Sequence, residues 1–386
     1  MTPVVTNPLT QPGNRPLLTA TRITVSESTL ADIRHFSDLV YTLGEEVVRL
    51  YYAGNADVAA YVNHGLPSAC AALLDVSRNI PPHRLLLRFD FFFTDAGPKL
   101  VEISSNPWGL LSYQRHNENS GGSERFEAIP IYVDLCNARL GGHGNSPRVG
   151  FWKDFGVYDE VTELIEELRQ REIAAEWIAY DSRLDDYAVI FFDVDTAYFG
   201  GTLSALLPYA AKLLPSPTNE IIKRKNFLAL MYSYVDNAVP IPSVLTTADK
   251  EFMRRFLVPT HLVPDQLPTV ISSGAIKDVV GIWGLQVTIL SPSTAAAEGP
   301  HARHRRQAFR KHLREASMKR NAILQEYIPP LSLASAPDLF TEFSLVYGRL
   351  GASPFARVYK GAPETKGNVG LGLVDVQSFG PSIEGG

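Results

Sequence analysis

The segment LLLRFDFFFTDAGPKLVEISSNPWG, at residues 85–109, constrains the fold most, because it places charged side chains inside an otherwise apolar hairpin. Residues 85–93 are almost wholly apolar and aromatic, which predicts a strand of a packed sheet. Residues 95–97 (Asp-Ala-Gly) predict a three-residue turn with the glycine in the left-handed position. Such a turn pairs Thr94 with Pro98 and sets the register of the two strands.

The returning strand is predicted at Lys99 to Ile103. In this register Asp90 faces Glu102 and Arg88 faces Ser104. Side chains alternate between the faces of a strand, so these four polar residues share one face of the hairpin. The residues expected on the other face are Leu87, Phe89, Phe91, Val101 and Ile103.

Two opposed carboxylates, Asp90 and Glu102, repel each other unless a positive charge lies between them. Magnesium is a hard cation that prefers oxygen ligands, so a magnesium site is expected here. Arg88 would hold a phosphate or a carboxylate with its fork of donors. The alternative is an Arg–Asp pair at a sheet edge with Glu102 in water; the added cross-strand carboxylate favours a site.

Length and composition limit the class of protein. A chain of 386 residues is long enough for two or three domains, and a net charge of −5 gives no argument for nucleic acid or an anionic membrane as a partner. Two cysteines, Cys70 and Cys136, cannot form a disulfide framework or a clustered zinc site. The first residues lack a secretory signal, and no apolar run is long enough for a membrane span, so a soluble cytoplasmic protein is expected.

Hydrophobic periodicity predicts helices at 26–52 and 56–77, before the hairpin. The glycine-rich stretch 141–147 is the clearest linker, and the strands and helices that follow predict a small doubly wound α/β unit ending near residue 217. Further helices are expected at 220–234 and 303–320, the second exposed and basic. The predicted domains are 1–147, 148–217, 218–300 and 301–386.

Single residues in the second half of the chain are weaker signals. Lys277 ends an apolar run before a loop that carries Gly281 and Gly284, an arrangement that suits phosphate binding. Lys225, taken alone, is typical of a surface lysine. Asp193 and Asp195 follow a strand and most simply end it, with metal binding as the alternative. The chain contains no P-loop and no convincing dinucleotide-binding glycine motif.

The ordered set of motifs resembles the ATP-grasp ligases, in particular the circularly permuted branch of eukaryotic-type glutathione synthetase and the synthetase domain of glutathionylspermidine synthetase. The motifs are R-F-D and G-P-K-L-V-E-I in the hairpin, Lys225, Lys277 with its loop, the I-L-Q-E-Y-I-P-P hinge, and the late G-N-V-G-L-G loop. The resemblance spans about residues 85–380. It implies an α/β ATP-grasp fold with a small doubly wound substrate domain and a mobile lid.

The resemblance also implies a function, namely ATP-dependent joining of an amino-acid or peptide carboxylate to an amine through an acyl phosphate. ATP and Mg²⁺ are the implied cofactors, and a homodimer remains open. The implied catalytic residues are Arg88 and Arg357, and the implied metal ligands are Asp90, Glu102 and Ser104. The implied ATP contacts are Lys225, Lys277, Gly281, Gly284, Gln325, Glu326, Tyr327 and Ile328, and the implied substrate contacts are Ser105, Asn106, Lys360 and Asn368.

The chain departs from the family pattern at the second strand of the hairpin. The family has E-x-N, whereas Ser104 stands here in place of the asparagine, and either its hydroxyl or Asn106 would complete the metal ligands. This departure motivates a second hypothesis, a nucleotide-binding homologue that has lost turnover. A third hypothesis, a Rossmann-type oxidoreductase built on residues 148–215, lacks its glycine fingerprint.

Overall fold

Within the part of the chain that the structure describes, the protein is a mixed α/β fold with three β-sheets. The computed structural model describes residues 22–105, 110–111, 114, 127–140, 148–152, 158–179, 183–241, 244–263, 273–279, 287–333, 336–348, 351–360 and 372–379. The strands are β1 Arg22–Ser26, β2 Arg88–Thr94, β3 Gly97–Ser104, β4 Arg148–Trp152, β5 Ala175–Ile178, β6 Tyr187–Phe191, β7 Leu213–Leu214, β8 Thr260–Leu262, β9 Gly274–Asp278, β10 Val287–Leu290, β11 Ala322–Gln325, β12 Ser332–Leu333, β13 Ala336–Gly348, β14 Gly351–Lys360 and β15 Gly372–Phe379. The helices are α1 Glu27–Tyr52, α2 Ala56–Val62, α3 Ser68–Val76, α4 Ala128–Leu140, α5 Tyr158–Gln170, α6 Val194–Phe199, α7 Leu203–Leu206, α8 Asn219–Lys223, α9 Lys225–Val235, α10 Thr247–Arg254, α11 Pro292–Ala296 and α12 Pro300–Lys319.

The largest sheet carries the hairpin. Its order is β1-β15-β14-β13-β2-β3, with β12 paired to β13, and only the β1–β15 pair is parallel. One side of this sheet packs on α1 and α9 through a large apolar core that includes Phe36, Phe89, Phe91 and Phe343. Burial of these aromatic side chains supplies much of the free energy that fixes β2 between β13 and β3.

A parallel sheet of order β5-β4-β6-β7 follows the predicted linker. Its core contains Val149, Phe151, Val189 and Phe191, packed with apolar residues of α4 and α5. Parallel strands buried on both faces read as continuous apolar runs, and this is why the sequence predicts them well. The α/β pattern expected for this part of the chain is confirmed.

The third sheet has the order β10-β9-β11-β8 and is antiparallel. Phe309 and Leu313 of α12 pack on one face, while Ile323 on the other face joins the core that contains α9. The sheet combines strands from before and after residue 300, whereas the predicted domain boundary lies at that residue. The domain boundaries stay a prediction.

Two helices predicted as continuous are broken. The predicted helix 56–77 is wrong as a single element, because Gly65 adopts φ +63° between α2 and α3. The predicted helix 220–234 is interrupted at Arg224, whose extended backbone (φ −65°, ψ 141°) separates α8 from α9. The long helix at 26–52 is confirmed as α1, with the Ser26 hydroxyl accepting a hydrogen bond from the Thr29 amide.

Within the described ranges, no helix combines the length and the apolar character that crossing a bilayer requires.

Candidate functional site

The hairpin places its polar residues as predicted, although its turn differs. Thr94 pairs with Gly97 rather than Pro98, so the loop has two residues instead of three, and the predicted turn is wrong by one position. A register shift beyond Asp90 compensates, and Asp90 still pairs with Glu102. The shift is a β-bulge, which leaves Val101 without a partner in the ladder.

The bulge also changes which side chains enter the core. Leu100, not Val101, packs with Phe91 in the large apolar core. The expectation that Val101 packs there with Leu87, Phe89 and Phe91 is therefore wrong. The unpaired backbone of Val101 instead becomes available to another part of the chain.

Asp90 lies at the centre of a buried polar group. Its side chain is 1% exposed, and its Oδ2 accepts hydrogen bonds from Arg88 Nη2 at 2.7 Å and Nε at 3.1 Å. The Ser344 hydroxyl, on the neighbouring strand β13, donates to Asp90 Oδ1 at 2.7 Å, and Arg88 Nη2 also lies 3.4 Å from Ser104 Oγ. Arg88 thus neutralises the charge of Asp90 through charge-assisted hydrogen bonds. Asp90 and Glu102 therefore do not face each other as two bare carboxylates.

The donor set fits a hard cation. Asp90, Glu102 and Ser104 are brought to one face by the register, and Glu102 and Ser104 are partly exposed there. Mg²⁺ in phosphoryl-transfer sites commonly uses one or two protein carboxylates together with water and substrate phosphates. Within the described residues, no cluster of three or more His, Cys, Asp or Glu side chains forms a complete protein cage for a metal.

Lys277 approaches the same hairpin from the third sheet. Its ammonium donates a hydrogen bond to the Val101 carbonyl at 2.8 Å, at the bulge. Burial lowers the pKa of Lys277 to about 8, while Glu102 and Asp90 act in the opposite direction. The structure thus brings this lysine close to the hairpin carboxylates, while its role as an ATP contact stays a prediction.

Lys225 is not an ordinary surface lysine. It is the first residue of α9 and only 8% exposed. Its charge helps to lower the pKa of Lys277, and it also acts on Asp195 at the end of the parallel sheet. Lys225 is therefore close enough to both Lys277 and Asp195 for its charge to act on each of them.

The predicted hinge begins where β11 ends. Gln325 is 3% exposed and donates from Nε2 to Thr260 Oγ1 at 3.1 Å, while the Glu326 amide donates to the Pro259 carbonyl at 2.8 Å. The Glu326 side chain is exposed, and Tyr327 and Ile328 are half-buried. These positions stay predictions as adenine contacts.

Several predicted site residues fall where little or nothing is described. Gly281, Gly284, Asn106 and Asn368 lie outside the described residues, as does the linker 141–147. Backbone pairing sets Arg357 opposite Glu342, which pairs with Phe92, and sets Lys360 opposite Leu339. The side chains of Arg357 and Lys360 are outside the description.

Ser105 follows β3 and was predicted to contact substrate. Its side chain is 1% exposed, and its hydroxyl has no hydrogen-bond partner within the described residues. A buried hydroxyl with no partner is costly, which is consistent with a position beside a ligand or a segment that is not described.

Sequence reasoning missed other polar residues around the site. Ser344 lies in an ordinary apolar strand pattern, and only its pairing with β2 brings it to Asp90. Glu220, Lys223 and Arg224 form a buried ionic group with Asp195. The available signal was the density of charged residues in N-E-I-I-K-R-K, at residues 219–225. Without the structure, such a segment is typical of an exposed helix.

The comparisons with known proteins match the chain to solved structures. No family model matches the chain, and no curated protein matches it. A solved structure from Methylobacillus flagellatus KT, provisionally named a gamma-glutamylcysteine synthetase, aligns with 12% sequence identity over 87% of each chain, with a TM-score of 0.47. At this level, the similarity transfers neither the fold nor the activity of that protein to this chain.

Proposed function

We propose that this protein is an ATP-grasp ligase that joins an amino-acid or peptide carboxylate to an amine, with hydrolysis of ATP to ADP and phosphate. The observation that supports it best is the hydrogen bond from Lys277 to the Val101 carbonyl. This contact brings a buried ammonium from the third sheet to the hairpin that carries Arg88, Asp90 and Glu102. Cations and carboxylates gathered at one sheet edge suit phosphoryl transfer, which chiefly requires positioning and neutralisation of charge.

The reaction has two balanced steps. A carboxylate oxygen attacks the γ-phosphorus of ATP and the bond to the bridging oxygen breaks, so that an acyl phosphate and ADP form. The amine nitrogen then attacks the acyl carbon, the bond from that carbon to the phosphate oxygen breaks, and the amine loses a proton. The products are an amide, ADP and phosphate.

The chain's own residues have defined roles in this proposal. Arg88, held in place by Asp90, would orient the transferred phosphoryl group, and Lys225 and Lys277 would bind phosphates of ATP. Asp90, Glu102 and Ser104 would hold Mg²⁺, which supplies charge neutralisation between phosphate oxygens when it is bound. The backbone after Gln325 would receive the adenine ring.

An activity screen tests the proposal. The protein is incubated with ATP, Mg²⁺ and pooled amino acids and dipeptides, and ADP, phosphate and new amides are measured by enzyme-coupled assay and mass spectrometry. We expect ADP and phosphate only when a carboxylate and an amine are both present, and no release from the Glu102→Gln variant. Absence of ADP with every pool would overturn the ligase proposal.

One observation favours a second candidate, a nucleotide-binding homologue without turnover. Both oxygens of Asp90 already accept hydrogen bonds, from Arg88 and Ser344, and Ser104 replaces the family's asparagine. In that case ATP would raise the melting temperature, yet no substrate pool would release ADP.

A further inference from the structure

Four buried charged side chains form an ionic cluster on the parallel-sheet side of Lys225. Lys223 Nζ lies 2.9 Å from Glu220 and 3.3 Å from Asp195, and Arg224 lies 2.7 Å from Glu220 and 3.0 Å from Asp195. Their side chains are 3–17% exposed, and Asp195 is the most accessible. Two anions and two cations balance each other, as burial of charge requires.

The cluster joins separate parts of the fold. Asp195 belongs to α6, directly after the carboxyl end of β6, whereas the other three residues belong to α8 or to the break that follows it. Arg224 Nη2 also lies 3.5 Å from the thiol of Cys70 in α3. The cluster therefore fixes the break between α8 and α9 against the parallel sheet.

The electrostatic environment differs between the two carboxylates of the cluster. Although burial acts in the opposite direction, Lys223 and Arg224 lower the pKa of Asp195. Burial raises the pKa of Glu220 despite the same two cations. Asp195 is therefore the carboxylate on which the charge balance chiefly depends.

The position of Lys225 depends on this arrangement. Lys225 follows Arg224 directly and starts α9, so the backbone angle fixed at Arg224 sets where its side chain begins. Its charge acts on both Asp195 and Lys277. A shift of the break would move Lys225 relative to Lys277.

We infer that Asp195, through its ion pairs with Lys223 and Arg224, is a positioning residue that holds Lys225 in place to bind a phosphate of ATP. This inference rests on the proposed function, because it assigns ATP phosphates to Lys225. It adds a role for residues at the carboxyl edge of the parallel sheet, a place where α/β proteins commonly build their sites. The small α/β unit then contributes to nucleotide binding without touching the nucleotide.

The direction in which Asp195→Asn changes the affinity for MgATP separates a positioning role from a purely electrostatic one. Removing a negative charge near a phosphate site, with no change of geometry, strengthens the attraction for ATP. A positioning role predicts the opposite, because Lys225 is displaced when Arg224 and Lys223 lose a partner. AMP lacks the β- and γ-phosphates, and its binding is expected to change less than that of MgATP.

Binding of MgATP and AMP, measured by calorimetry, tests the inference in wild type, Asp195→Asn, Lys225→Met and the double variant. We expect Asp195→Asn to weaken MgATP binding about tenfold, and to weaken it less than about twofold in the Lys225→Met background, because both act through one contact. Asp195→Glu, which keeps the charge, is expected to recover most of the affinity. Asp32→Asn, which removes a carboxylate from an exposed ion pair with Arg255, is the matched control.

The outcomes are distinct. Unchanged or tighter MgATP binding by Asp195→Asn would overturn the inference, as would an equal loss of affinity in the wild-type and Lys225→Met backgrounds. The proposed function would still stand in either case if the wild-type protein binds MgATP. No binding of MgATP by the wild-type protein would overturn both. If Asp195→Asn does not fold, Lys223→Met carries the same cycle, because it removes one of the two ion pairs of Asp195 and leaves Arg224 to pair with both carboxylates. A loss of MgATP affinity of equal size in the wild-type and Lys225→Met backgrounds would then overturn the inference.

Discussion

The ammonium of Lys277 donates a hydrogen bond to the carbonyl of Val101, across 176 positions of sequence. The acceptor lies at the β-bulge of the edge strand β3, where Val101 has no partner in the register. The hairpin therefore holds a lysine of another sheet close to Glu102 and Asp90. Lys277 is held at the hairpin by geometry as well as by charge.

Lys277→Met is expected to raise the KM for ATP about tenfold or more, because a charge-assisted hydrogen bond to a phosphate is lost. The measurement is steady-state release of ADP at varied ATP. Lys212→Met is the control, since Lys212 hydrogen-bonds only backbone carbonyls at Leu184 and Asp185 among the contacts described. An equal rise of the KM for ATP in Lys277→Met and Lys212→Met would contradict a specific role for Lys277.

The two hairpin carboxylates are expected to differ in their effect on stability. Asp90→Asn leaves Arg88 buried without its ionic partner and should cost about 3–5 kcal/mol of unfolding free energy. Glu102→Gln, at a partly exposed position, should cost less than about 1 kcal/mol. Urea denaturation measures both free energies.

The same two variants should be alike in activity. If both carboxylates bind Mg²⁺, each substitution should lower turnover at least about 100-fold, because charge neutralisation is lost. Restored activity at high Mg²⁺ would support weakened metal binding. A fully active Glu102→Gln enzyme would remove Glu102 from the metal site.

Ser344→Ala tests the hydroxyl that holds Asp90. Its loss leaves one oxygen of a buried carboxylate short of a donor and should cost about 1–3 kcal/mol of unfolding free energy. We also expect a higher Mg²⁺ concentration for half-maximal ADP release, since the Asp90 carboxylate loses one of the hydrogen bonds that orient it. Ser233→Ala removes a hydroxyl that accepts a hydrogen bond from Tyr61 at 2.9 Å, and it should leave the Mg²⁺ dependence unchanged.

His83 predicts a pH dependence of stability. Burial, and then the charge of Arg139, lower its pKa from 6.5 to about 4, and Arg139 Nη2 lies 2.8 Å from its Nε2. Between pH 6.5 and pH 4 the unfolded chain binds more protons, so stability present above pH 6.5 is lost as the pH falls through this window. The loss is at most about 3 kcal/mol, and smaller because the ring is partly exposed.

The His83→Gln variant keeps an acceptor for Arg139 but does not titrate. Its free energy of unfolding should fall less than that of the wild-type protein between pH 6.5 and pH 4, as measured by urea denaturation at each pH. If the free energies of unfolding of the two proteins ran parallel between pH 6.5 and pH 4, His83 would be protonated equally in the folded and unfolded states.

Gly65 is a site where any side chain should be strongly destabilising. It has φ +63°, and an added Cβ would overlap the backbone of Asn321 and Arg320. Gly65→Ala should therefore cost at least about 2 kcal/mol more than Gly54→Ala, because overpacking adds to the strain of positive φ. Gly54 is the matched control, with φ +80° and nothing within 4 Å of the added atom; equal melting temperatures of the two variants would contradict the close approach.

The parts of the fold that could be predicted are those with local patterns. The predicted turn register paired Asp90 with Glu102, and this pairing is observed only because a bulge offsets a turn that is one residue shorter than predicted. Apolar runs predicted the parallel strands, and 3.6-residue periodicity predicted α1. These features depend on residues close together in sequence.

The parts that could not be predicted depend on distant contacts. Ser344 carries no local signal, because its role comes from pairing with a strand more than 250 residues earlier. Lys223 and Arg224 are buried only because Asp195 and Glu220 balance their charges. Strand β8 is only three residues long, too short for a periodic pattern.

The strand order of the largest sheet has a consequence for the time at which the site forms during synthesis. Strand β2 pairs with β13, and β1 pairs with β15, so the middle and one edge of the sheet wait for residues made last. A nascent chain that has released only the hairpin exposes Phe89 and Phe91, and Asp90 still lacks the hydroxyl of Ser344. The emerging hairpin therefore depends on protection from aggregation on the ribosome, and the candidate site is completed only after translation has passed β13.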